Sequence, residues 1–79
     1  MRITVNFLKE KGFKELGNSL GAAHYRKEEL NKNIFLEIRH VQDDDKWWLT
    51  NGKQCFEIYR ELFAQKEIES LIEFYCFTK

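Results

Sequence analysis

The chain has no proline and few of the residues that staple a small protein or anchor it in a membrane. It contains only two cysteines, Cys55 and Cys76, in 79 residues. Two cysteines are too few for a disulfide framework, so we expect a reducing compartment. No apolar stretch approaches the length of a membrane span, about 20 residues, and the N-terminus lacks the apolar run of a signal peptide. We therefore expect a cytoplasmic protein with no membrane partner.

The chain also lacks net charge, because its thirteen basic residues are matched by thirteen acidic ones. This balance makes nucleic acid an unfavourable partner, since a phosphate backbone requires positive surface. The two halves differ: residues 1–40 hold eight bases and five acids, a net +3, and residues 41–79 hold five bases and eight acids, a net −3. We interpret this small asymmetry as ordinary solvated surface.

The sequence has none of the close ligand pairs that identify metal sites, neither Cys-x-x-Cys nor His-x3-His. The three aspartates at 43–45 lack the alternation and the distal glutamate of a calcium loop. Cys55 with His24 or His40 would supply a thiol–imidazole pair, but a cysteine nucleophile also needs a cleft, for which 79 residues leave little room. We predict no metal, no cofactor, no small-molecule substrate and no enzymatic activity, with a small Cys55-dependent enzyme as an alternative.

What the chain does have is aromatic residues: seven Phe, three Tyr and two Trp. Each of them removes a large apolar area from water when it is buried. A chain of this length is near the lower limit for folding without staples, and bulky core residues compensate for its small size. We therefore predict one globular domain that spans residues 1–79.

The first predicted element is a short helix over residues 4–11, with signals at both ends. Thr4 is a good N-cap, and Ile3 and Leu8 have the spacing of a hydrophobic staple. Gly12 stands where a helix ends on a left-handed residue, and Phe13 stands where the following residue packs back onto Leu8.

Three strands are predicted in the middle of the chain, over residues 22–30, 34–41 and 46–50. The second has the clearest alternation, with Ile34, Leu36 and Ile38 on one side. Turn residues at 31–33 and 42–45 separate the strands. Residues 13–16 are compatible with a further short strand.

Apolar residues recur at helical spacing in the last third of the chain and predict an amphipathic helix over residues 53–77; they are Phe56, Tyr59, Leu62, Phe63, Ile68, Leu71, Ile72 and Tyr75. The stripe shifts phase near residues 64–66, so one bent helix, two helices, and a helix followed by a strand all remain open. The predicted fold is α+β in the order α-β-β-β-α: a three-stranded antiparallel sheet with its helices on one face.

Such a sheet leaves its other face open to solvent. Trp47 and Trp48 are adjacent, so in a strand they point to opposite faces, and a shift of one residue exchanges them. The predicted binding residues on the open face are Tyr25, Phe35, Arg39 and Trp48. Aromatic residues and arginine dominate protein interfaces, so we predict binding to a protein partner or to a second copy. Single-stranded nucleic acid, stacked on the same aromatics, is the alternative.

The chain resembles short, mostly uncharacterised proteins of bacteriophages and mobile elements. The resemblance rests on a capped helix that ends in Gly-Phe, a Tyr-Arg or Tyr-Lys strand, an alternating strand, and a closing helix built around Glu-Leu-x-x-Leu-Tyr. Here these stretches are residues 7–13, 24–27, 34–38 and 56–63. The resemblance implies a phage-type accessory or inhibitor protein that binds a host protein and occludes it, as anti-CRISPR and other anti-defence proteins do.

Overall fold

The computed structural model of the chain describes residues 1–19, 21–29, 34–52 and 56–74. A short helix, α1 (Val5–Glu10), comes first. Five strands follow: β1 (Lys14–Ser19), β2 (Ala22–Glu29), β3 (Ile34–Val41), β4 (Lys46–Gly52) and β5 (Phe56–Leu62). A second helix, α2 (Gln65–Phe74), ends the described chain.

The strands form one antiparallel sheet in the order β1-β2-β3-β4-β5, so each strand pairs with its neighbours in sequence. The class is α+β as predicted, but the prediction of a three-stranded sheet is wrong. The three predicted strands are the middle of the sheet, and β1 and β5 extend it on either side. Register shifts in three of the four pairings, for example at Leu16 between Glu15 and Gly17, mark local irregularities in the ladder.

The error lies in the chain between Asn51 and Leu62. Asn51 and Gly52 belong to β4, and Phe56–Leu62 is a strand rather than the first turns of the predicted helix. Only the second part of the predicted helix is helical, with Ile68 and Ile72 buried in α2. Tyr75 lies outside the described residues.

The prediction of α1 is confirmed, together with the signals at both of its ends. The Thr4 hydroxyl accepts a hydrogen bond from the backbone N–H of Phe7 at 3.1 Å. At the other end, the N–H of Phe13 bonds to the carbonyl of Leu8 at 2.9 Å, which is the long bond of a Schellman motif. Gly12 takes the left-handed conformation that this motif requires, with φ at 91°.

A buried lysine completes the end of α1. Lys27 on β2 is only 8% exposed, and its Nζ donates a hydrogen bond to the carbonyl of Lys11 at 2.8 Å. A cation at this position also interacts favourably with the negative end of the helix dipole. The Nζ lies so close to Gly12 that a Cβ at that position would stand 2.9 Å from it.

The start of α2 is stabilised by its own third residue, Glu67. One oxygen of this carboxylate accepts hydrogen bonds from the backbone N–H groups of Phe63 and Ala64, and the other accepts one from Arg60. Burial opposes the charged form, but these three hydrogen bonds prevail and lower the pKa of Glu67. The arrangement is the reciprocal half of a capping box, and it forms the corner between β5 and α2.

The hydrophobic core lies between the two helices and one side of the sheet. The helices contribute Phe7, Leu8, Ile68 and Ile72, and the sheet contributes Ala23, Tyr25, Leu36, Ile38, Trp47, Leu49 and Leu62. These sheet residues alternate along their strands, so they mark a single side, which we call the helix side. The opposite side is called the outer face. Both described helices pack on the helix side.

Candidate functional site

The outer face carries the side chains of alternate residues on all five strands. Among the described side chains these are Lys14, Ala22, His24, Arg26, Glu28, Phe35, Glu37, Arg39, Val41, Lys46, Trp48 and Glu61. Acids and bases are interspersed among the aromatics. The face is therefore amphipathic, and neither charge sign dominates it.

One row of this face crosses the sheet at right angles to the strands. His24 on β2 pairs with Arg39 on β3, Arg39 pairs with Trp48 on β4, and Trp48 pairs with Glu61 on β5. Directly paired residues on neighbouring strands have adjacent side chains. The row therefore places a cation and an acid on opposite sides of Trp48, one strand from it in each direction.

Arg39 is the unusual member of the row. Its Nε is buried and has no hydrogen-bond partner, the one such side-chain nitrogen or oxygen within the described chain. A buried donor without an acceptor costs free energy, and a charged one costs more. The structure thus presents an arginine on the outer face that is still without the anion or carbonyl that usually accompanies it.

Arg26, two strand positions away from this row, is in the contrasting situation. It donates to Glu37 at 2.7 Å and to Glu28 at 3.1 Å, and its guanidinium lies 4.8 Å from the ring centre of Phe35. The hydrogen bond to Glu37, then the one to Glu28, raises the pKa of Arg26 above its usual range. At this end of the outer face, Arg26 is thus paired within the chain, and its guanidinium partly covers Phe35.

The prediction that Tyr25 lies on the open face of the sheet is wrong. Tyr25 pairs with Ile38 on the helix side and is 3% exposed, with its ring centre 6.2 Å from that of Trp47. Burial, and secondarily the charge of Glu15, raises the pKa of its hydroxyl. Of the four predicted residues, Phe35, Arg39 and Trp48 share the outer face, and Tyr25 lies on the other side of the sheet.

The alternative between the two tryptophans is also resolved. Trp47 is 5% exposed in the core, where the His40 ring stacks on it at 3.7 Å between centroids, and Trp48 is half-buried on the outer face. His40 Nε2 lies 2.9 Å from a carboxylate oxygen of Asp45, which also pairs with Arg2. Burial, and then the charge of Arg2, lowers the pKa of His40.

The residues considered for catalysis or metal binding are not brought together by the described structure. His24 lies on the outer face and His40 on the helix side, so the sheet separates them. Cys55 and Cys76 fall outside the described residues. Within the described ranges, no group of three or more His, Cys, Asp and Glu side chains has the geometry to hold a metal ion.

Sequence reasoning missed two features near these elements. Glu61 was predicted to lie in a helix. It belongs to the row because residues 56–62 form a strand. The second feature is a groove of about 610 Å³ between the end of α1 and α2. The ion pair between Lys11 and Glu69, at 3.4 Å, lies beside it, and its walls carry charges of both signs: Glu10, Lys11, Lys27, Lys66, Glu69 and Glu73.

No helix in the described part of the chain is both long enough and apolar enough to cross a lipid bilayer. Comparison with known proteins gives no further guide to the site, since no family model, curated protein or solved structure matches the chain. A role for the outer face is therefore inferred from its geometry and its chemistry.

Proposed function

We propose that the chain is a non-enzymatic protein-binding module whose outer face contacts the partner, with Arg39 and Trp48 at the centre of the contact. The observation that carries the proposal is the buried Arg39 Nε without an acceptor, beside the half-buried ring of Trp48. Tryptophan and arginine are the residue types most enriched among those that dominate binding energy. A partner carboxylate or carbonyl oxygen can reach only the accessible part of this half-buried guanidinium, where a charge-assisted hydrogen bond would stabilise the contact.

The mechanism that suits such a face is steric occlusion. A partner bound flat against the sheet would have its own surface covered, without any bond being made or broken. The resemblance to phage and mobile-element proteins suggests a host protein whose working surface is blocked in this way. An inhibitor of this kind needs only one interface of ordinary size, about 800 Å² per partner.

The test is affinity capture from a host lysate with three tagged baits: the parent chain, Trp48→Lys, and Phe74→Ser. The matched control replaces an exposed aromatic, Phe74 at 77% exposure, on α2 rather than on the outer face. We expect a protein that the parent and the Phe74 variant both retain and that the Trp48 variant loses. The Trp48 variant must also keep the melting temperature of the parent within a few degrees.

Two results would count against the proposal. Equal capture by all three baits would move the interface away from the outer face. A collapsed fold in Trp48→Lys would show that Trp48 is a core residue. Single-stranded nucleic acid is the competing occupant, but Glu28, Glu37 and Glu61 on the same face oppose it electrostatically. A salt-sensitive shift of a labelled oligonucleotide, lost in Trp48→Lys, would favour that occupant instead.

A further inference from the structure

We infer that the outer face is built to receive a second copy of this chain, in a two-fold symmetric dimer with Trp48 on the axis. This inference rests on the proposed function, because it uses the same surface, for which a second copy and a host protein would compete. It follows from the order of the row across the sheet, Arg39 then Trp48 then Glu61. None of these three side chains has an ion pair or a side-chain hydrogen bond to another described residue.

The spacing of the row makes it self-complementary. Neighbouring strands are about 4.8 Å apart, so Arg39 and Glu61 stand at equal distances on either side of Trp48. A two-fold axis that runs parallel to the strands and passes over Trp48 exchanges these two positions. Arg39 of each copy then faces Glu61 of the other, and the two Trp48 rings meet at the centre. Such an interface is isologous, with the same patch used by both copies.

The charges also exclude the alternative dimer, in which the two-fold axis runs across the strands. In the aligned class of packing, two sheets keep their strands within about 30° of each other, which allows a two-fold axis either along the strands or across them. An axis across the strands would place Arg39 of one chain over Arg39 of the other, and Glu61 of one chain over Glu61 of the other. Like charges opposed at close range disfavour that arrangement. Charge complementarity therefore selects the axis along the strands.

The area of the face predicts a weak and reversible dimer. With the axis over β4, only β3, β4 and β5 of each copy lie over the other copy. Three strands at about 4.8 Å, each some 20 Å long, give a contact on the order of 300 Å² per partner. Stable complexes commonly bury about 800 Å² per partner, and smaller interfaces belong to transient ones. We expect a dissociation constant in the micromolar range or weaker, so the dimer forms at high concentration and dissociates on dilution.

The test is sedimentation of the untagged chain and of two charge-reversal variants, Arg39→Glu and Glu61→Arg, from about 1 µM to about 1 mM, the range of weak complexes. Each variant alone opposes like charges at both cross-contacts. We expect its dissociation constant to rise at least about 100-fold, since each reversed pair contributes about tenfold. An equimolar mixture of the two variants restores opposite charges at both contacts. The mixture should therefore form a dimer that neither variant forms alone.

The control is Lys14→Glu, which reverses a charge on the same face but on the edge strand β1. It should dimerise like the parent, and Trp48→Lys should not dimerise alone or in any mixture. Should a reversal variant fold poorly, Arg39→Gln and Glu61→Gln provide milder changes. Each should raise the dissociation constant about tenfold, which is half the loss of binding free energy expected for charge reversal.

Three outcomes would overturn the dimer: a parent chain that stays monomeric throughout, single variants that dimerise like the parent, or a mixture that stays monomeric. The first does not overturn the proposed function. A monomer that still captures a host protein through Trp48 has a different occupant on the same face. If the chain is monomeric and captures no host protein, or captures the same proteins as the Trp48→Lys variant, both the dimer and the proposed function are refuted.

Discussion

Gly12→Ala tests how α1 is joined to the sheet, because the substitution meets two separate obstacles. The first is the backbone, since φ at 91° is a left-handed conformation that costs an ordinary residue about 1–2 kcal/mol. The second is Lys27, whose Nζ would lie 2.9 Å from the new Cβ. The lysine side chain can move, but moving it weakens its hydrogen bond to the Lys11 carbonyl, a net loss of about 1 kcal/mol.

Gly21→Ala is the matched control. Gly21 also has a positive φ, 76°, but nothing lies within 4 Å of the position that its Cβ would occupy. This variant should therefore lose only the backbone term, about 1–2 kcal/mol. Gly12→Ala should lose about 1 kcal/mol more, which for a chain of this size lowers the melting temperature by a further 4–8 °C or so.

The assay is urea unfolding of both variants, each made also in a Lys27→Met background. Without the ammonium, the excess cost of Gly12→Ala over Gly21→Ala should largely disappear, whereas the cost of Gly21→Ala should not change. Equal destabilisation by the two alanines in the parent background would refute the role given to Lys27. If Gly12→Ala still costs more than Gly21→Ala in the Lys27→Met background, the cause of the difference lies in the backbone alone.

Two further predictions concern Trp47 and His40. Trp47→Ala should lower the free energy of unfolding by about 3–5 kcal/mol and Trp48→Ala by about 1 kcal/mol, as measured by urea unfolding, since only Trp47 is a core residue; equal losses would contradict the assignment of faces. Because the folded pKa of His40 is lowered from 6.5, the unfolded chain binds more protons below that pH, and stability should fall as the pH drops from 6.5 towards the folded value. In thermal melts across this range, His40→Gln should reduce that dependence; an unchanged slope in this variant would exclude His40 as its source.

The ends of α1 could be read from the sequence because the signals there are local. Thr4, Gly12 and Phe13 each act on backbone groups within five residues of themselves, so no tertiary partner is needed to identify them. The middle strands were equally accessible, since Ile34, Leu36 and Ile38 alternate without interruption. In these places local preference and tertiary structure agree.

The segment from Phe56 to Leu62 was misread because two periods fit it. Phe56, Tyr59, Leu62 and Phe63 have helical spacing, but Phe56, Ile58 and Leu62 also fit an alternating strand, and the segment is rich in β-branched and aromatic residues. Short apolar stretches are ambiguous for this reason. The phase shift near residues 64–66 is the true boundary, where the structure changes from strand to helix at Ala64.

The candidate site was only half accessible from sequence. Alternation placed Phe35 and Arg39 on one face, but it left the choice between Trp47 and Trp48 open. Since β2 alternates weakly, a shift of one residue also moves Tyr25 from one side to the other. The sheet settles the question by pairing Tyr25 with Ile38. Glu61 could not be found without β5, and the missing acceptor of Arg39 Nε depends on side-chain contacts that no sequence pattern reports.

The most direct test of the outer face as a binding surface is a two-dimensional ¹⁵N–¹H NMR titration of the labelled chain. It is recorded on dilution from high concentration and again with any captured partner added. We predict shift changes centred on Arg39, Trp48 and Glu61, with α1 and α2 unchanged. Changes centred on the helices or on the groove beside Lys27 would contradict the assignment of binding to the outer face.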